Sequence, residues 1–180
     1  MLIAAGCAAA CITRLRFATS PIALHPVVWR KALESGKGDA VERAIATEPA
    51  ASWERELSVA LHEPNPELRA GLVNEQLREL DFRLTRWERV PRVCASIASS
   101  AGFLLGSLVL RFGLVAAGNG PEEGRGDVIN GVVVQAISVA AFGVAGATFA
   151  VATQYRARKA ARAFQQAADA LVEALESSKL

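Results

Sequence analysis

The chain has 180 residues, of which 52% are hydrophobic and only 21% charged, and its formal net charge is +2. A charge this small, with no basic stripe interleaved with aromatic residues, argues against nucleic-acid binding. The three cysteines and two histidines form no C-x-x-C pair and no cluster. We therefore expect ordinary packing residues at these positions, with no metal site and no cofactor.

The first segment of the chain is apolar from Met1 to Thr13 and is followed by Arg14 and Arg16. A helix needs about 20 apolar residues to cross a bilayer. We therefore expect residues 1–17 to form a first membrane helix that is short or lacks its beginning. The arginines at its end place that end in the cytoplasm.

Residues 18–92 are rich in charge and contain several signals for helix starts, which predicts a cytoplasmic helical region. Asn65 followed by Pro66 is a cap with proline at the first helical position. Further helix starts are expected at Pro26, at Asp39 and at Ser52, the last two as side-chain caps.

The last helix of this region carries an apolar stripe with steps of four and three residues, which predicts packing on another helix. On its surface Glu79 can pair with Arg83, one turn later. Pro91 predicts a kink just after this helix. The stripe consists of Val73, Leu77, Leu80, Leu84 and Trp87.

Two long apolar runs follow, at residues 93–118 and 128–155. The second has 28 residues without a charge. At about 1.5 Å per residue, either helix is long enough to cross a hydrocarbon core of about 30 Å. Arg111 interrupts the first run near one end, where an anchor that snorkels to the headgroups and a pore charge are the alternatives. The glycine- and proline-containing loop between the runs predicts an antiparallel transmembrane hairpin.

The charges that flank the hairpin predict its orientation. Positively charged flanks stay on the cytoplasmic side of a membrane, so we expect the loop at 118–127 to be periplasmic and both charged regions to be cytoplasmic. Residues 156–180 then form a cytoplasmic helical tail that continues the second hairpin helix. The flanking positive charges are Arg86, Arg89, Arg92, Arg156, Arg158, Lys159 and Arg162.

Together these segments predict an all-α integral membrane protein. It has a short first membrane helix, cytoplasmic helices and a long transmembrane helical hairpin that extends into the cytoplasm. No Walker loop, H-E-x-x-H, G-x-S-x-G or paired membrane carboxylates occur, so we expect no catalytic residues and no enzyme activity.

Small residues recur at helical spacing on both hairpin helices, a pattern that lets helix backbones approach closely in lipid. A hairpin needs only one such stripe, so packing within the hairpin and self-association are alternatives for the two. The stripes contain Ala98, Gly102 and Gly106 on the first helix, and Ala136, Ala140, Gly143, Ala147 and Ala150 on the second. Gln135 lies about two turns into the second helix and should face protein or water. It either forms hydrogen bonds between helices or lies in a conduction path.

Two segments of the hairpin resemble the MotA/TolQ/ExbB proton-channel family. Ala98–Ser107 is similar to the family's A-P-L-L-G-L-L-G-T signature, and Gln135–Ala147 to its E-A-L-x-T-T-A-x-G-L-A-V-A signature. The order of helices is also similar, and the resemblance covers roughly residues 68–176. It implies a channel-scaffold subunit of the bacterial inner membrane with pore-lining candidates at Ser107, Gln135 and Ala140.

The resemblance also implies partners. Family members form pentameric rings around a dimer of a single-span, ExbD/TolR-like partner with a membrane aspartate, and proton flow between them drives a transport or motor complex. This sequence departs from the family at four matched positions. Ser107 replaces a threonine of the family and keeps a hydroxyl. Gln135 replaces its glutamate, Ala140 the second threonine of its T-T pair, and Phe149 its proline. We therefore expect altered or lost proton conduction, and the alternatives are an oligomerising membrane scaffold or an accessory subunit of an unrelated transporter.

Overall fold

The structure, a computed structural model, describes residues 2–122 and 124–177, and these residues form α-helices and no β-strand. The all-helical prediction is confirmed. The seven helices are α1 (Leu2–Thr19), α2 (Pro26–Glu34), α3 (Gly38–Thr47), α4 (Ser52–Leu61), α5 (Pro66–Thr85), α6 (Val90–Gly118) and α7 (Arg125–Ser177).

The helices belong to two compact units, each built from separate parts of the chain. The first unit joins the start of the chain, up to Arg14, with Trp87–Tyr155. The second unit joins Leu15–Arg86 with the chain from Arg156 onward. Residues of α1 and of α7 are therefore shared between the two units.

The first unit contains α6 and the apolar part of α7. Two helical stretches of the described chain, Pro66–Gly118 and Arg125–Leu175, are long and apolar enough to cross a membrane. Only 17% of the most apolar window of the first and 6% of that of the second are buried. A core helix of a soluble domain buries its apolar face, and these two helices leave theirs uncovered within the chain. Among the described residues, α1 is not one of the stretches that meet these criteria.

Two helices of the second unit, α5 and α2, begin with a side chain that caps the helix N-terminus. The side-chain oxygen of Asn65 accepts hydrogen bonds from the backbone N–H groups of Glu67 (3.0 Å) and Leu68 (3.5 Å), with Pro66 as the first residue of α5. At α2, Nδ1 of His25 accepts from the N–H of Val27 at 3.3 Å. Such bonds satisfy N–H groups that have no partner inside a helix.

Two predicted caps lie one position or more inside their helices. α3 begins at Gly38, so Asp39 lies in its first turn, where a carboxylate favourably meets the positive end of the helix dipole. α4 begins at Ser52 itself, with Ala51 at the N-cap position and no side-chain cap bond. The prediction of Asp39 and Ser52 as caps is therefore wrong, because each residue has already entered the helix.

The core of the second unit is formed by one buried face from each of several helices. Trp53 is fully buried and donates its indole N–H to the carbonyl of Gln76 at 2.8 Å, which ties α4 to α5. Glu54 is also fully buried, and its Oε1 accepts from the N–H of Leu24 at 2.6 Å. The buried core contains Trp29, Ile45, Ala51, Trp53, Leu57, Ala60, Leu61, Val73, Leu80, Leu84, Ala161, Phe164, Ala168, Leu171, Val172 and Leu175.

The apolar stripe of α5 contributes to this core along most of its predicted length. Val73, Leu80 and Leu84 are buried, and Leu77 packs against them. On the surface, Glu79 pairs with Arg83 at 2.9 Å. Trp87 does not belong to the stripe, because α5 ends at Thr85 and Trp87 adopts a φ of 66° with half of its surface exposed. A left-handed residue at this place ends a helix, so the chain breaks before α6 and Pro91 lies in the first turn of α6.

Candidate functional site

The closest backbone approach in the first unit joins the middle of α6 to the middle of α7. A Cβ built on Gly102 would lie 2.6 Å from the Cα of Gly143, and one built on Gly143 would lie 2.6 Å from the Cα of Gly102. A Cβ on Gly106 would lie 2.9 Å from the carbonyl oxygen of Ala136. No side chain fits at these points, so the two helices touch through their backbones.

The order of contacts along the two helices shows that they run antiparallel. Further toward the start of α6, the Cβ position of Gly146 lies 3.4 Å from the Cβ of Ala98. Toward its end, a Cβ on Gly113 would lie 2.3 Å from Cγ1 of Val132. We call this interface the hairpin seam; it contains Ala98, Gly102, Gly106 and Gly113 of α6, and Val132, Ala136, Ala140, Gly143 and Gly146 of α7.

The hairpin seam uses both stripes of small residues that the sequence contains. Gly102 and Gly106 of one stripe meet Gly143 and Ala136 of the other. The assumption that a hairpin needs only one stripe is therefore corrected, because two backbones approach this closely only when both surfaces are small. Because both stripes pack within the hairpin, they do not by themselves support self-association of the chain.

The three pore-lining candidates fall in two different environments. Ala140 lies in the hairpin seam, where its carbonyl oxygen and its Cβ face Gly102 and Gly106. Ser107 and Gln135 are exposed on the outer surface of the hairpin. Since Gly106 contacts Ala136, their neighbours Ser107 and Gln135 lie at the same depth along the hairpin. The structure thus brings Ser107 and Gln135 to one level and separates Ala140 from both.

The outer surface of the hairpin combines large apolar side chains with a few polar ones. Phe142 is 79% exposed, Phe112 66% and Ile137 63%. The hydroxyl of Ser107 donates to the carbonyl of Phe103 at 2.8 Å, which is how serine satisfies its own donor within an apolar helix. The side-chain amide of Gln135 carries two donors and an acceptor, so a single backbone carbonyl cannot satisfy all of its hydrogen-bonding groups.

Sequence reasoning missed a second feature of this unit, a cluster of all three cysteines. Cys11 and Cys94 are buried together with Ala150, and Cys7 packs against them from the preceding turn of α1. The four-residue spacing of Cys7 and Cys11 puts both on one helix face, but nothing in the sequence assigns Cys94 as their neighbour.

No group of three or more His, Cys, Asp or Glu side chains within residues 2–122 and 124–177 is arranged to hold a metal ion. The three cysteines are free thiols in this structure.

Comparison with known proteins finds no relative. No family model matches the sequence, and no curated protein and no solved structure matches it. The resemblance to the MotA/TolQ/ExbB family consequently stands on its two short hairpin segments and on the order of helices.

Proposed function

We propose that the chain is an integral protein of the bacterial inner membrane in which α6 and the apolar part of α7 cross the bilayer as a hairpin. The observation that carries this proposal is the contrast between the closed hairpin seam and the open apolar surface around it. Side chains such as Phe142 and Phe112 point away from the chain. Each large apolar side chain left in water forgoes about 1.5–3 kcal/mol of burial, whereas lipid covers such a surface at no cost.

Charge supports one orientation of this hairpin. Arg92 and Arg156 bracket its cytoplasmic ends, and the connecting loop carries Glu122 and Asp127. Because positive flanks remain inside, the loop is periplasmic and the C-terminal part of the chain is cytoplasmic.

Within the membrane, the chain acts as a channel-scaffold subunit of a complex driven by the proton-motive force. Ser107 and Gln135 lie at one depth on the outer surface, where an amide in contact with lipid would be unsatisfied. A neighbouring helix that covers this level resolves the conflict, and small and polar side chains are what such contacts use. The neighbour is a second copy of the chain or a single-span partner with a membrane aspartate, as the family resemblance implies.

Proton conduction is altered or lost in this scaffold. Gln135 occupies the position of the family's glutamate, and an amide does not titrate near neutral pH. Ala140 is turned into the hairpin seam, so it lines no pore in this proposal. Ser107 is the one matched position that keeps a hydroxyl on the outer surface.

Cysteine cross-linking tests the scaffold proposal in native membranes. In a background in which Cys7, Cys11 and Cys94 are replaced by serine, Gln135→Cys and Ser107→Cys are each oxidised, and Ile137→Cys serves as the control. Ile137 lies two residues from Gln135 and is 63% exposed, but it is apolar and faces lipid in this proposal.

The proposal expects covalent dimers from Gln135→Cys and from a mixture of Gln135→Cys with Ser107→Cys, with few from Ile137→Cys. Size analysis in mild detergent should show an assembly larger than one chain. The homo-oligomer would be overturned if the wild-type protein runs as a monomer and neither Gln135→Cys nor Ser107→Cys forms cross-links. Equal cross-linking at Ile137 would overturn the assignment of Gln135 and Ser107 to contacts with a neighbouring helix.

A further inference from the structure

All three cysteines of the chain converge on one point of the first unit, although they come from two distant parts of the sequence. Cys7 and Cys11 lie one turn apart on the same face of α1, and Cys94 lies in the first turns of α6. Cys11 and Cys94 are buried in one cluster, and Cys7 packs against that cluster. Cys94 is thus the shared neighbour, and a bond to either partner would join α1 to α6.

The accessibility of the three thiols differs. Cys11 is fully buried and Cys94 is 7% exposed, while Cys7 is only partly buried. The neighbours of the cluster are small and apolar, namely Ala10, Ala95, Ala150 and Val90. In such a setting a free cysteine packs as a small hydrophobic residue and also brings a reactive thiol. Because Cys7 is the most exposed of the three thiols, it is the one that a reagent meets first.

We propose that Cys94 forms a reversible disulfide with the α1 cysteines, which fastens α1 to α6 when an organic disulfide is present. Cys7 gives up its proton and attacks the organic disulfide, so that a mixed disulfide forms and one thiol leaves. Cys94 then displaces the second thiol and forms Cys7–Cys94. Exchange with Cys11 moves the bond one turn along α1. In balance, two protein thiols lose two protons and two electrons, and one organic disulfide becomes two thiols.

The two redox states differ in how α1 is held. In the reduced state, contacts between small apolar side chains join α1 to α6 near Cys94. In the oxidised state a covalent bond does so, and the third thiol stays free for the reverse exchange. This inference concerns contacts inside the first unit and does not rest on the proposed function.

Intact-mass and peptide mass spectrometry of the full-length protein test the proposal, with oxidised glutathione as the probe. Wild type should lose the mass of two hydrogens and give a linked peptide pair that contains Cys94 with Cys7 or Cys11. Cys7→Ser should still form Cys11–Cys94, but about tenfold more slowly, because access limits thiol–disulfide exchange. Cys11→Ser should form Cys7–Cys94 at the rate of wild type.

Cys94→Ser should instead keep glutathione as an adduct on Cys7. The linkage found in wild type decides the question even where a variant fails to fold. A wild type that keeps three free thiols, a Cys7–Cys11 link, or a link between two chains through Cys94 would each overturn the proposal.

Discussion

Gly102 of α6 and Gly143 of α7 meet backbone to backbone, with room for no Cβ on either residue. We expect Gly102→Ala and Gly143→Ala each to destabilise the hairpin by about 1–3 kcal/mol, because the helices must separate to admit the methyl group. Gly102→Leu should prevent the seam from closing. The measurement is the thermal unfolding midpoint of the purified protein in mild detergent.

Gly131→Ala is the control, since Gly131 lies on α7, as Gly143 does, and has nothing within 4 Å of its Cβ position. Removing a helical glycine there should leave stability unchanged or raise it by up to about 1 kcal/mol. If Gly102→Ala and Gly131→Ala shift the midpoint equally, the hairpin seam is not the closest contact of the two helices.

A second prediction compares two residues that the sequence marks alike as helix caps. Asn65→Ala should destabilise the second unit by about 1 kcal/mol, because its side chain accepts from two backbone N–H groups of α5. Ser52→Ala should change stability by no more than about 0.5 kcal/mol, because Ser52 makes no cap bond. Tryptophan fluorescence during denaturation reads both variants, since Trp29 and Trp53 are buried in this unit. A larger loss for Ser52→Ala would contradict the assigned helix starts.

Local signals in the sequence were sufficient to predict which segments form helices. They did not predict which helices contact each other, because that depends on tertiary packing. The uncharged runs predict α6 and α7 because helix length and apolarity are properties of one segment. The pairing of Gly102 with Gly143 depends on how two segments approach each other. From the sequence, the two stripes could therefore pack within the hairpin or serve self-association. Trp87 kept the spacing of its stripe, but a positive φ, which no spacing encodes, ended the helix before it.

The same distinction applies to the candidate site. Gln135 was selected by residue type and by resemblance, and Ser107 by resemblance; the contact of Gly106 with Ala136 places them at one depth. Ala140 was selected with them by resemblance to a motif, although its position four residues from Ala136 already put it on the packed face. The thiol cluster needed the position of α1 beside α6, which sequence spacing does not contain.

A third prediction concerns proton movement. The chain alone, reconstituted in liposomes, should show no proton flux above that of protein-free liposomes, because no acidic residue lies between Arg92 and Pro121 or between Asp127 and Arg156. With a single-span partner that carries a membrane aspartate, Ser107→Ala should reduce any flux more than Thr153→Ala. Ser107 is exposed, whereas Thr153 is 6% exposed and donates to the carbonyl of Phe149. Robust flux from the chain alone would show that the interpretation of Gln135 is wrong.

The membrane hairpin itself is tested most directly by the accessibility of single cysteines on its two sides. Asn119→Cys lies just after α6, and Gln166→Cys lies on an exposed face of α7 beyond the apolar run. Both are made in the background without native cysteines and treated in intact cells with a membrane-impermeant maleimide that has access to the periplasm. We expect Asn119→Cys to be labelled, and Gln166→Cys to be labelled only after the inner membrane is permeabilised. Labelling of Gln166→Cys in intact cells, or recovery of the protein in the soluble fraction, would contradict the account.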